Sequence, residues 1–174
     1  MPFAYYGRLS RTEQRVYRHS DGIATIPIPR APELRPLVTA VEDALAAEDR
    51  ARVQTTADRL LAEIAARLGV PVLRTEILAV RPSRHWGELH GLYHGAFAGR
   101  AARVSVWMRT AQRRQVVRFR TFLRTLLHEL CHHLDYELLA LPDSFHTQGF
   151  YQRESSLLRQ LAPPAPAEPG TVDD

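Results

Sequence analysis

The chain has no lysine: all 23 of its basic residues are arginine. Against 19 acidic residues this leaves a formal charge of +4. Such a mild positive balance permits nucleic acid or another anionic partner without demanding one. Cysteine is almost missing too. Cys131 stands alone, which excludes an internal disulfide and a cysteine-built zinc knuckle. No apolar run approaches the roughly 20 residues that cross a bilayer, so no membrane partner is expected. The opening stretch MPFAYYGRLSRTEQR carries no apolar segment of the signal-peptide kind, and the expected location is cytoplasmic.

What is present suits one domain. The 174 residues are 45% apolar and 24% charged, enough to bury a core. Residues 1–30 end in IPIPR and read as an extended N-terminal arm. From Pro32, Leu34, Leu37, Val38, Val41 and Leu45 recur at helical spacing. A second helical run carries Val53, Leu60, Leu61, Ile64 and Leu68, with Asp49 as a cap or as a bend between continuous helices, and with Gly69 and Pro71 as its stop. The pattern then turns strand-like in VLRTEILAV, ELHGLYHG and RVSVWMR, the last two forming a hairpin. After TAQRR a long amphipathic helix is expected, its stripe running Val116, Phe119, Leu123, Leu126, Leu127, Leu130, Cys131 and Leu134. Pro142 ends it, and a last helix follows. The proline-rich residues 162–174 read as a disordered tail. The expected fold is α+β: N-terminal helices, a three-stranded or slightly larger, mostly antiparallel sheet, then the long helix and a C-terminal helix. The working domain spans residues 31–161.

Four of the eight histidines lie within TLLHELCHHLDYELLALPDSFHTQGFY. His128 and His132 stand four apart, so on a helix they share one face. Two imidazole nitrogens can then reach one zinc ion at about 2.0–2.1 Å. Glu129 projects beside that point, where it can move a proton to and from water. This is the HExxH arrangement. A catalytic zinc commonly takes three protein ligands. His146, 14 residues beyond His132 and past the turn LPDS, is the first choice for the third. Glu154 is the rival, and Asp135 suits better the role of N–H acceptor for a neighbouring histidine.

The stretches TLLHELCHHLDY and HTQGF together resemble the SprT-like branch of the zincin metallopeptidases, which pairs a helix-borne HExxH with a later histidine shortly before an aromatic. ELHGLYHG and RVSVWMR occupy the place of that group's strands. The resemblance covers roughly residues 37 to 160. It implies a small zincin-like fold, one zinc ion on His128, His132 and His146, Glu129 as general base, and a protein or peptide substrate. Thr147 stands where that family usually has a glycine, with Gly149 two residues on. No cysteine ribbon follows the core, which removes an obvious nucleic-acid module. Two other classes of function stay open beside the enzyme: a zincin-shaped module that binds protein or DNA without cleaving, its zinc structural or absent, and a plain core helix whose histidines match the motif by chance.

The neighbouring residues read more plainly. His133 is a hydrogen-bonding residue of the surface or second layer, and Cys131 belongs to the core. His90 and His94 share a strand face too far apart for one metal; solvent exposure is the favoured reading over a place in the cleft. Tyr151 and Arg153 can steady an oxyanion, though a packed tyrosine and a surface arginine are the favoured roles. Arg113, Arg114, Arg118, Arg120 and Arg124 give the long helix a basic, solvated side. Trp86 and Trp107 read as core or sheet-edge aromatics.

Overall fold

A computed structural model describes residues 2–80, 91–110 and 115–162. The readings of Trp86, His90, Arg113, Arg114 and nearly all of the tail fall outside the described residues. Among those described, five α-helices flank one small sheet: α1 (Arg11–Asp21), α2 (Arg35–Ala46), α3 (Arg50–Leu68), β1 (Arg74–Val80), β2 (Gly91–His94), β3 (Arg103–Arg109), α4 (Phe119–Glu137) and α5 (Gln148–Leu161). The class is α+β, as the sequence order of helical runs, then strand-like runs, then helical runs predicts. Among the described residues no helix is long and apolar enough to cross a membrane.

Local chemistry sets the helix boundaries. The Asp49 side chain accepts from the Arg52 N–H at 3.0 Å, so Asp49 caps α3, and α2 and α3 are separate helices. Gly69 closes α3 in the left-handed region at φ 68°, where a residue with a Cβ is strained. The expected arm at residues 1–30 is corrected: Ala4–Arg8 is a 3-10 turn and Arg11–Asp21 is helix. Its cause is a capping box in SRTE, with the Ser10 and Glu13 side chains each satisfying the other's backbone N–H. Such a cap is worth about 1 kcal/mol. Only Tyr17 and Ser20 of α1 are buried, so no apolar stripe announced it.

The sheet order is β1-β3-β2. β2 and β3 form the expected antiparallel pair, Tyr93 opposite Val104. β1 runs parallel to β3, Thr75 opposite Val104. The sheet is therefore mixed, and the expectation of a mostly antiparallel one is corrected. A hairpin fixes the direction of adjacent strands only, and β1 meets β3 out of sequence order. The centre of β3 is buried from Val104 to Met108, Trp107 included, as a strand paired on both edges should be. The long helix starts at Phe119 rather than at Val116, which forms a β-bridge with Arg109.

The free edge of β1 is closed by side chains of α3. Asp58 accepts from the Thr75 N–H at 2.6 Å and from its hydroxyl at 2.9 Å. Gln54 accepts from the Ile77 N–H at 2.8 Å and donates to the Thr75 carbonyl at 2.5 Å. These bonds replace the ladder that a fourth strand would supply. On the other side of the sheet, β2 borders a cleft.

α4 packs against β2, β3 and α5, with Phe122, Leu123, Leu126, Leu127, Leu130, Cys131 and Leu134 all buried. Burying each large side chain contributes about 1.5–3 kcal/mol. That anchors the helix with its opposite face turned to the cleft.

Candidate metal centre

The cleft encloses about 790 Å³ between β2, α4 and α5, and His128, Glu129, His132 and His146 all line it. His128 and His132 lie one turn apart on α4. His146 reaches them from the segment before α5, whose start is fixed by the Thr147 hydroxyl accepting from the Phe150 N–H at 2.9 Å. Thr147 thus does capping work where the resembled family has glycine. Gly149 is required for another reason: a Cβ there would collide with the Ser20 and Asp21 carbonyls. Its N–H instead donates to the Asp21 carboxylate at 3.0 Å, joining α5 to the end of α1.

Three imidazoles converge. The Nε2 of His146 lies 3.0 Å from that of His128 and 3.1 Å from that of His132. One ligand atom from each lies within 4.8 Å of the other two. The far sides of two rings are committed elsewhere. His128 Nδ1–H donates to Glu154 Oε2 at 2.9 Å. His132 Nδ1–H donates to Ser144 Oγ at 2.7 Å, and that hydroxyl donates on to Asp135 Oδ2 at 2.8 Å. With the protons on Nδ1, the Nε2 lone pairs of His128 and His132 point bare into the cleft. A proton on His146 Nε2 would serve one neighbour and leave the other facing a lone pair. A cation resolves the conflict, because nitrogens about 2.0–2.1 Å from a tetrahedral ion stand about 3.3 Å apart. The residues present fit a divalent metal.

Charge agrees with geometry. Burial, aided by His146 and His128, pushes the His132 imidazole down to about 3. Burial and His128 likewise lower His146. Both rings are neutral near pH 7, the form that ligates.

Glu154 does not join the three nitrogens; it lies behind His128, 5% exposed, with Arg124 on its other oxygen at 3.6 Å. Asp135 accepts from the Ser144 hydroxyl rather than from a histidine N–H, so it supports His132 one hydroxyl removed. Behind it stands Arg153, which is fully buried and is neither a surface arginine nor a cleft residue. It donates to Asp135 Oδ1 at 2.8 Å and to the Ser20 and Ile23 carbonyls at 2.6 and 2.5 Å. A buried chain of hydrogen bonds thus runs from the end of α1 to His132.

Glu129 sits against β2. A Cβ on Gly91 would lie 2.5 Å from Glu129 Oε1, so only glycine admits the carboxyl there. Burial pushes that carboxyl up to about 7, against the pull of His128 and a backbone hydrogen bond from Tyr93.

No family model, curated protein or solved structure matches the chain. The site is therefore read from its own atoms.

Some of its residues carry no sequence signal of their own. The ring of Phe150 lies 4.8–5.1 Å from all three imidazole centroids and forms the floor beneath them. Tyr93 stacks on Tyr136 and on His132, and its hydroxyl meets His133 Nδ1 at 3.2 Å. His133 is wholly buried, its Nε2–H donating to the Pro71 carbonyl at 2.8 Å, so it is an inner tie and not a surface residue. His94 is half-buried and does not line the cleft. Ser144, Gly91 and Tyr93 were missed because each works through a partner distant in sequence. The HTQGF stretch was the one available pointer to Phe150.

Proposed function

We propose that the chain is a zinc-dependent metallopeptidase in which His128, His132 and His146 hold one zinc ion and Glu129 is the general base. The observation that carries this reading is the convergence of three imidazole Nε2 atoms in a cleft that also holds a buried carboxyl near pKa 7. Zinc held by these three imidazoles would supply Lewis acidity, to polarise a carbonyl oxygen and acidify a water.

The chain's residues supply the rest. Glu129 takes a proton from water and returns it to the departing amine nitrogen; a carboxyl near 7 suits both transfers at neutral pH. Gly91 and the Tyr93 backbone hold that carboxyl against the wall. Glu154 and Ser144 keep the protons of His128 and His132 on Nδ1. Phe150 packs against all three rings and backs the site from below. A peptide is the fitting substrate because β2 is an edge strand, along which an extended segment can lie. The order of helices, small sheet, metal helix and C-terminal helix supports the likeness to the SprT-like zincins.

The test is Glu129→Gln beside the parent, each loaded with zinc and incubated with an unstructured protein. The parent should cleave in a chelator-sensitive way. The variant should keep its zinc by elemental analysis and lose roughly 10²–10⁴-fold in rate. Full activity in the variant removes Glu129 from the mechanism. Zinc retained by a parent that cleaves nothing leaves a binding module in place of an enzyme.

A further inference from the structure

Beside the metal cleft lies a second hollow of about 480 Å³, lined by Phe3, Ala4, Tyr5, Arg8, His146 and Tyr151. His146 and Tyr151 line both spaces, so the two are neighbours across a shared wall. We propose that this hollow is a substrate subsite for an apolar side chain next to a carboxylate, with Phe3, Tyr5 and Tyr151 as its apolar wall and Arg8 as its anion contact. The proposal rests on the metallopeptidase reading.

The wall is built, although the Ala4–Arg8 turn buries none of its own residues. The Phe3 N–H donates to the Tyr17 hydroxyl at 3.0 Å, and Tyr17 is 1% exposed. Tyr5 and Tyr6 pack edge-on against the Tyr17 ring, at 5.8 and 5.0 Å. Arg18 donates to the Tyr6 hydroxyl at 2.6 Å. The Tyr5 hydroxyl donates to the His146 carbonyl at 2.9 Å, tying the turn to the backbone of a metal-site residue. A pinned wall costs little ordering when a side chain enters.

The lining sets the chemistry. The Phe3 and Tyr151 rings meet edge to face at 6.1 Å, yet remain 41% and 42% exposed. That is apolar surface wanting a cover. The Arg8 side chain is exposed and makes no hydrogen bond or ion pair among the described residues. A guanidinium keeps its charge and fits a carboxylate with two parallel bonds. The acids lining the adjoining cleft do not compete for it, since Glu129 and Glu154 are each 5% exposed; Asp21, which lines neither space, accepts from the Gly149 N–H. The accessible charge facing a peptide is therefore positive. The carboxylate can come from an acidic side chain or from a free C-terminus.

The test measures binding, not turnover. Three fluorescein-labelled decapeptides share an alanine-serine scaffold with one phenylalanine. The first has glutamate beside the phenylalanine and an amidated end. The second has glutamine in its place, also amidated. The third ends on phenylalanine with a free carboxylate. Kd values are read by anisotropy on the chelator-treated full chain, so no peptide is cut and a failure of hydrolysis leaves the comparison readable. The first or third peptide should bind about fivefold more tightly than the second, and whichever does identifies the source of the carboxylate. Arg8→Glu and Arg8→Gln should both abolish that preference while zinc content and melting temperature stay at parental values. Equal affinity for all three peptides, or a preference that survives both substitutions, overturns the subsite.

Discussion

Two clusters of partly buried polar side chains can be set side by side, one where α3 meets β1 and one where α4 meets the segment before α5. In the first, Asp58, Gln54 and Thr75 exchange hydrogen bonds until donors and acceptors match. Nothing is left over, and its work is finished within the fold. In the second, Nε2 atoms of three imidazoles face one another at 3.0–3.1 Å with too few protons to bridge them. Even adjacent residues divide this way: His133 has both nitrogens served by the protein, whereas His132 has one served by Ser144 and one turned to His146. A closed network stabilises a fold; an open one whose imidazole nitrogens converge can hold a metal ion.

The comparison breaks most visibly at His146. His146→Ala should weaken zinc binding on the order of a thousandfold, about 4 kcal/mol, measured by competition with a chromophoric chelator. Stability of the chelated protein should hold or rise, because a crowded lone pair has gone. A steep loss of chelated stability would mean the histidines are themselves a closed structural network.

Next in size is a pH effect. The Glu129 carboxyl is raised to about 7 in the fold from a usual 4.5. Its contribution to the metal-free protein is therefore fully present below about pH 4.5 and lost as pH rises through 7. His132, lowered from 6.5 to about 3, has the opposite sign: its contribution is present above 6.5 and lost as pH falls through 3. Glu129→Gln removes the first effect alone. Its metal-free stability relative to the parent should climb between pH 4.5 and 8 by up to about 3 kcal/mol. Denaturant titrations across that range check it, and a flat difference would contradict the burial assigned to Glu129.

In the closed cluster, Asp58→Ala should cost about 2 kcal/mol by orphaning the Thr75 N–H and hydroxyl, and leave zinc affinity at the parental value. Ser144→Ala should do the converse on a smaller scale. Zinc affinity should fall roughly tenfold as the His132 ring loses its orienting acceptor, with little change in melting temperature. Equal effects of both substitutions on both readouts would erase the distinction between the clusters.

Periodicity and spacing made much of this legible. The α3 and α4 stripes, the stop at Gly69, the β2–β3 hairpin and the His128–His132 pair all rest on contacts within a few residues. What escaped rests on contacts across the chain. α1 has too few apolar residues to show a stripe, and its SRTE capping box was passed over. The parallel pairing of β1 depends on β3 lying between it and β2, which no local pattern records. Arg153 looked exposed because arginine usually is; it is buried because Asp135 and two carbonyls from the end of α1 surround its guanidinium. Gly91 passed as one residue of the strand-like ELHGLYHG, and its place in the structure is to leave room for the Glu129 carboxyl.

The most direct measurement is cobalt or zinc titration of the chelated full chain, with the ligand shell read by X-ray absorption. The account predicts one ion per chain with three imidazole nitrogens in its shell, falling to two in His146→Ala. No saturable uptake, or a shell with fewer than three imidazoles in the parent, would contradict it.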